Sequence, residues 1–99
     1  MTSLSEDPVI QQHRAQIAAL DRTILEALNQ RIHLVKRLKD HKAAQGLGFH
    51  DAAQEERVLA ALAQANPGPL SEEGLRDIFQ LIMTWSKREA TGLGAAGSE

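Results

Sequence analysis

The stretch PVIQQHRAQIAALDRTILEALNQRIHLVKRLKDHKAAQ, Pro8 to Gln45, decides the fold. It contains no glycine and no proline after Pro8. Asp7 is a natural N-cap and Pro8 suits the first helical position. Gly46 and Gly48 stop the run. Counting in sevens from Ile10 gives Ile10, Ile17, Ile24, Arg31 and Leu38. Counting in sevens from Arg14 gives Arg14, Asp21, Leu28, Val35 and Lys42. These are the a and d columns of a heptad, which face a core or a partner helix. Arg14, Asp21, Arg31 and Lys42 therefore stand where Leu or Ile is expected. A buried charge is costly unless something pairs with it. Three of the four are positive, which predicts an anion pocket inside a helical bundle.

A helix over 8–45 is about 57 Å long at 1.5 Å per residue. A compact monomer of 99 residues has a radius of gyration of about 13 Å. The helix must fold back or be sheathed by a second copy, and the favoured reading is a homodimer.

The rest of the chain predicts two more helices and no strand. The second covers 51–65, with Val58, Leu59 and Leu62 apolar, and ends at the turn Asn66-Pro67-Gly68-Pro69. The third starts at Ser71 as N-cap, with Glu72 and Glu73 at the positive helix end. Its apolar face is Leu75, Ile78, Phe79, Ile82 and Met83, with Trp85 a packing residue. One domain over 8–91 with flexible termini, 1–7 and 92–99, is expected.

Composition excludes several classes. The chain has no cysteine, hence no disulfide scaffold, thiol nucleophile or Cys-based zinc site. His13, His33, His41 and His50 lack metal-ligand spacing, so no metal is expected. No apolar run approaches the roughly 20 residues that span a bilayer, and no secretory signal is read at the start. A cytoplasmic protein is the expectation. Net charge is −2, which argues against a general nucleic-acid binder, and Phe49, Phe79 and Trp85 are too few for base stacking. Residues 8–45 carry seven Lys/Arg against three Asp/Glu, and the remainder four against ten. A basic long helix beside acidic shorter ones suits both a dimer and an anionic ligand.

Arg31 and Lys42 are eleven residues apart, a residual rotation of about 20° and a rise of about 16 Å, so both project from one face. They could hold a small dianion between them. Arg14 lies about 25 Å from Arg31 along the helix axis and joins that site only from an antiparallel second copy. Asp51 and Glu55 share a face of the second helix, with Gln54 beside them. Each feature also has a plain reading. A single heptad charge is commonly a register device or a snorkelling side chain. Asp51 and Glu55 could be a solvated first turn, Asp21 reads as structural, and Lys36-Arg37-Leu38-Lys39 reads as a solvated face.

Taken in order, Arg14, Ile17, Leu20-Asp21, Leu28, Arg31, Lys42, Asp51, Glu55, Ile78-Phe79 and Ser86 resemble the AroQ-class, all-helical chorismate mutases over about 8–90. The resemblance implies an intertwined homodimeric helical bundle with two shared active sites. It implies the Claisen rearrangement of chorismate to prephenate, without cofactor or metal. Arg31 would bind one substrate carboxylate within its own protomer, and Arg14 of the partner subunit the other. Lys42 would donate to the ether oxygen. Asp51 would hold Lys42 or the substrate, Glu55 would accept the ring hydroxyl, and Ser86 would assist carboxylate binding. Leu38 and Met83 would be apolar walls.

Two positions depart from the family pattern. Gln54 stands where an arginine is frequent and could keep a backbone contact. Ala90 stands where the family usually has Gln or Glu as a second donor to the ether oxygen. Three outcomes stay open there: a slow enzyme, another group in the role, or a variant substrate. Rival functions are a mutase or lyase for aminodeoxychorismate or isochorismate, and a non-catalytic helical dimer or regulatory module. A DNA-binding helix-turn-helix fits least, given the acidity.

Overall fold

The computed structural model describes residues 7–97. Three helices follow in order: α1, Pro8–Ala44; α2, Ala52–Ala65; and α3, Glu72–Gly97. No strand occurs among the described residues. The chain divides into two units, Met1–Gln30 and Arg31–Glu99, with the boundary inside α1.

The N-terminal unit is the first part of α1. Asp7 Oδ1 accepts the backbone N–H of Val9 at 2.8 Å and that of Ile10 at 3.3 Å. Two of the donors that a helix start leaves unpaired are thereby satisfied. None of α1 is buried. Ile17, Leu20, Ile24 and Leu25 are each more than half exposed. The heptad seam expected to face a core has no cover within this unit.

The C-terminal unit opens with the end of α1, whose stop is a matched pair of backbone hydrogen bonds. Leu47 N–H donates to Lys42 O at 2.8 Å and Gly46 N–H to Ala43 O at 3.0 Å. Gly46 has φ 72°. This is a Schellman closure, and the left-handed residue it needs is most cheaply a glycine. α2 begins at Asp51, whose side chain accepts the Gln54 N–H at 3.0 Å. Past α2, Asn66 closes the turn with its own side chain. Its Oδ1 accepts from Gly68 N–H at 2.9 Å and its Nδ2 donates to Leu70 O at 2.7 Å. The Gly68–Pro69 peptide is cis. Ser71 caps α3 by accepting the Gly74 N–H at 3.0 Å.

α2 packs on α3 through Leu59, Leu75 and Met83, all buried. The buried positions of α3, namely 75, 83, 86 and 90, keep helical spacing and form one stripe. Ile78, on the expected apolar face, is 46% exposed, and Trp85 is half exposed. The Arg88 guanidinium covers the Trp85 ring at 4.8 Å from its centroid. Polar contacts add to the packing. Arg76 Nη1 lies 3.0 Å from Glu56 Oε1 on α2 and its Nε 3.3 Å from Glu72 Oε2. The Glu56 hydrogen bond and charge raise the Arg76 pKa above its ordinary value, with Glu72 adding. Lys39 Nζ donates to Thr91 Oγ1 at 3.2 Å, tying the end of α1 to α3.

The helical backbone of α3 runs to Gly97, past residue 91 where the sequence reading ends the domain. Gly92 and Gly94 are poor helix formers, but a weak local propensity does not end a helix already nucleated by the turns before it. Residues 1–6 and 98–99, part of the expected flexible termini, lie outside the described residues. No helix among the described residues is long and apolar enough to cross a membrane.

Candidate active site

The C-terminal unit holds a cavity of about 190 Å³. Each helix contributes a short stripe to it. From α1 come Arg31, Val35, Leu38 and Lys42, at spacings of four, three and four residues, one face of a helix. From α2 and its cap come Asp51, Gln54, Glu55 and Val58, again one face. Phe49 enters from the connection, and Met83 and Lys87 from successive turns of α3. Val35, Leu38, Phe49, Val58 and Met83 make the walls apolar.

The charges on these walls are in different states. Arg31 is partly withdrawn from water, which lowers its pKa from the ordinary arginine value, while the Glu55 charge opposes the shift. Among the described residues the side chains of Arg31 and Lys42 make no hydrogen bond and no ion pair, although the charges of Glu55 and Asp51 respectively act on them. Glu55 Oε2 lies 2.8 Å from Lys87 Nζ, and both side chains are largely shielded. Asp51 is exposed, and its carboxyl is held below the usual range. The Gln54 backbone hydrogen bond is the main cause; burial opposes it, and the Arg57 and Lys42 charges add to it.

The cavity thus brings together seven residues singled out in the sequence: Arg31, Leu38, Lys42, Asp51, Gln54, Glu55 and Met83. Asp51 spends one oxygen on the α2 cap, so it is a structural residue whatever else it does. The Gln54 side chain faces along its own helix, its Oε1 accepting from Arg57 Nε at 3.0 Å. Ser86 is not on the cavity wall. It is 2% exposed and donates to Ile82 O at 2.6 Å, a bond within α3. Met83 and Lys87 are four residues apart and share the cavity face, and Ser86 lies about 100° around the helix from Lys87. Ala90 is fully buried in the α3 stripe. Arg14 belongs to the N-terminal unit and is exposed there.

Lys87 is the charged cavity residue that the sequence reading did not name as a site residue; the apolar lining residues Val35, Phe49 and Val58 were not named as such either. For Lys87 the available signal was the i+4 spacing from Met83, already assigned to the wall. Lys36 and Lys39 stay off the cavity; Lys36 pairs with Asp40, one turn along, and Lys39 with Thr91. Among the described residues no group of His, Cys, Asp or Glu could hold a metal ion.

Two cations whose side chains make no hydrogen bond or ion pair, set among apolar walls, give the cavity a lining suited to a small organic anion. The comparisons narrow this reading. The family model for chorismate mutase type II matches residues 13–91. The form II structure of chorismate mutase from Thermus thermophilus is similar, with 33% identity and a TM-score of 0.79, covering 83% of this chain and 93% of that one. The form I structure of chorismate mutase from the same organism gives 35% identity and a TM-score of 0.76, covering 78% of this chain and 96% of that one. A search of curated proteins gave no match. The chain belongs to the chorismate mutase type II family, an isomerase family.

Proposed function

We propose that the protein rearranges chorismate to prephenate in sites shared between two copies of the chain. The observation that carries this reading is the convergence of Arg31 and Lys42 on one apolar-walled cavity, neither side chain making a hydrogen bond or ion pair among the described residues. A dicarboxylate supplies what they lack. Arginine suits a carboxylate because its planar fork pairs both oxygens at once.

The chemistry asks for no nucleophile. One C–O bond of the ether breaks as one C–C bond forms, and no atom leaves the molecule. The protein must hold the substrate in its compact chair-like form and meet the negative charge that grows on the ether oxygen. In this reading Arg31 grips a carboxylate and Lys42 donates to the ether oxygen. Glu55 accepts the ring hydroxyl, Asp51 steadies Lys42 through its charge, and Leu38 and Met83 wall the carbocycle. Ser86 serves α3 and not the ligand. The second carboxylate falls to Arg14 of the partner subunit. The exposed Ile17, Leu20, Ile24 and Leu25 support a second copy, because a contiguous apolar seam of this kind marks an interface. A cytoplasmic location belongs to the same reading.

The test is to add purified protein to chorismate, follow the loss of its absorbance, and identify the product by chromatography. Prephenate formed faster than the uncatalysed background is the expected result. Intact chorismate, together with turnover of an amino- or iso-chorismate, would reassign the substrate.

A further inference from the structure

We infer that Lys87 is a third substrate-binding cation of this site, presented by α3 and aimed by Glu55. The inference rests on the chorismate reading and deepens it. Among the described residues, Met83 and Lys87 are the only ones that α3 places on the cavity wall, so Lys87 is the one polar group α3 offers to a ligand there. An ammonium has three donors. One is directed at Glu55 Oε2 at 2.8 Å, which fixes the end of a long, otherwise mobile side chain and leaves two donors for a ligand.

Charge balance gives the second argument. Without Lys87, the cavity would set Arg31 and Lys42 against Asp51 and Glu55 and be neutral. With Lys87 it has one positive charge in excess. In a partly desolvated space that excess decides whether an anion is attracted, because electrostatic energies grow as water is excluded. A purely structural role explains less. The α2–α3 pair already has a cross-helix ion pair in Arg76 with Glu56, at the surface and off the cavity. The Glu55–Lys87 pair sits on the cavity, and Glu55 also acts on the charge of Arg31. Lys87 therefore neutralises part of Glu55 and keeps the carboxylate from cancelling Arg31.

The test is Lys87→Met, which keeps the length and apolar stem, with Lys87→Arg as the charge-conserving variant. Two readouts are taken on each protein: chorismate turnover, and the rise in Tm produced by chorismate. In Lys87→Met, kcat/KM should fall about a hundredfold, the scale for losing one preorganised donor to a developing anion. The chorismate-induced rise in Tm should shrink with it, and Lys87→Arg should recover part of both. A fall in kcat assigns the ammonium to the ether oxygen, and a rise in KM assigns it to a carboxylate. A Lys87→Met protein with a lower Tm but unchanged kcat/KM and an unchanged chorismate-induced rise overturns the inference and leaves a structural ion pair. Wild type that binds chorismate without turning it over overturns the mutase reading alone, and the rise in Tm then decides the role of Lys87. Wild type that neither binds nor converts chorismate overturns both.

Discussion

Asp51 Oδ1 accepts the backbone N–H of Gln54 at 3.0 Å, so a carboxylate on the cavity wall is also the cap of α2. That bond is the main cause of its depressed pKa. A depressed carboxylate contributes stability that is present above its unfolded pKa and lost as pH falls through its folded one. Asparagine caps as well as aspartate but does not titrate. Asp51→Asn should therefore hold its Tm near the wild-type value at neutral pH and lose less of it on acidification. Melting curves from pH 7 to pH 3 check this, and parallel acid losses in the two proteins would count against it. Activity should fall in the same variant, because the charge beside Lys42 is gone.

Lys42→Ala should lower turnover roughly 10²–10³-fold while leaving the helical content and assembly unchanged. Losing the ammonium that meets the ether oxygen should raise the barrier by about 3–4 kcal/mol, the scale of a deleted oxyanion donor. Steady-state kinetics beside circular dichroism and sizing measure both halves of this statement. Wild-type rates in the variant would sink the mechanism.

Arg14→Ala and Arg31→Ala should each be inactive alone and regain activity on mixing. In a shared-site dimer, a heterodimer of the two places both lesions in one site and leaves the other site intact. The measurement is turnover after subunit exchange, with exchange verified by differently tagged chains. Verified exchange without recovery argues against a site built from two copies.

Gly46→Ala should destabilise the protein by about 1 kcal/mol, since φ at this position is 72° and left-handed backbone disfavours a Cβ. Nothing lies within 4 Å of an added Cβ, so the penalty is conformational and not steric crowding from neighbours. Urea unfolding at neutral pH reads it directly.

The helix boundaries other than the end of α3, which runs to Gly97, were legible because the signals for them are local. Asp7 before Pro8, Gly46 after Gln45, the Asn66 turn and Ser71 before two glutamates each act within a few residues of themselves. The stripe Arg31, Val35, Leu38 and Lys42 was legible for the same reason, since periodicity alone puts these on one face. What α3 shows to the cavity was not. Whether Ser86 or Lys87 reaches it depends on how α3 is rotated against α2, and a rotation of about 100° separates one answer from the other. Burial of Leu75, Met83 and Ala90 sets that rotation. Ser86 carries a hydroxyl that α3 itself can satisfy, whereas Lys87 needed a carboxylate from another helix to hold it.

Two neighbouring acids of α2, Glu55 and Glu56, are each held by a cation of α3, Lys87 and Arg76 respectively. Those cations are eleven residues apart, three turns that close to within about 20°. The interval from Arg76 to Lys87 is therefore a ruler. Side chains within it can change with local effects, but adding or deleting one residue would swing one cation about 100° away from its acid. Chain length in this interval is fixed by the two pairings together.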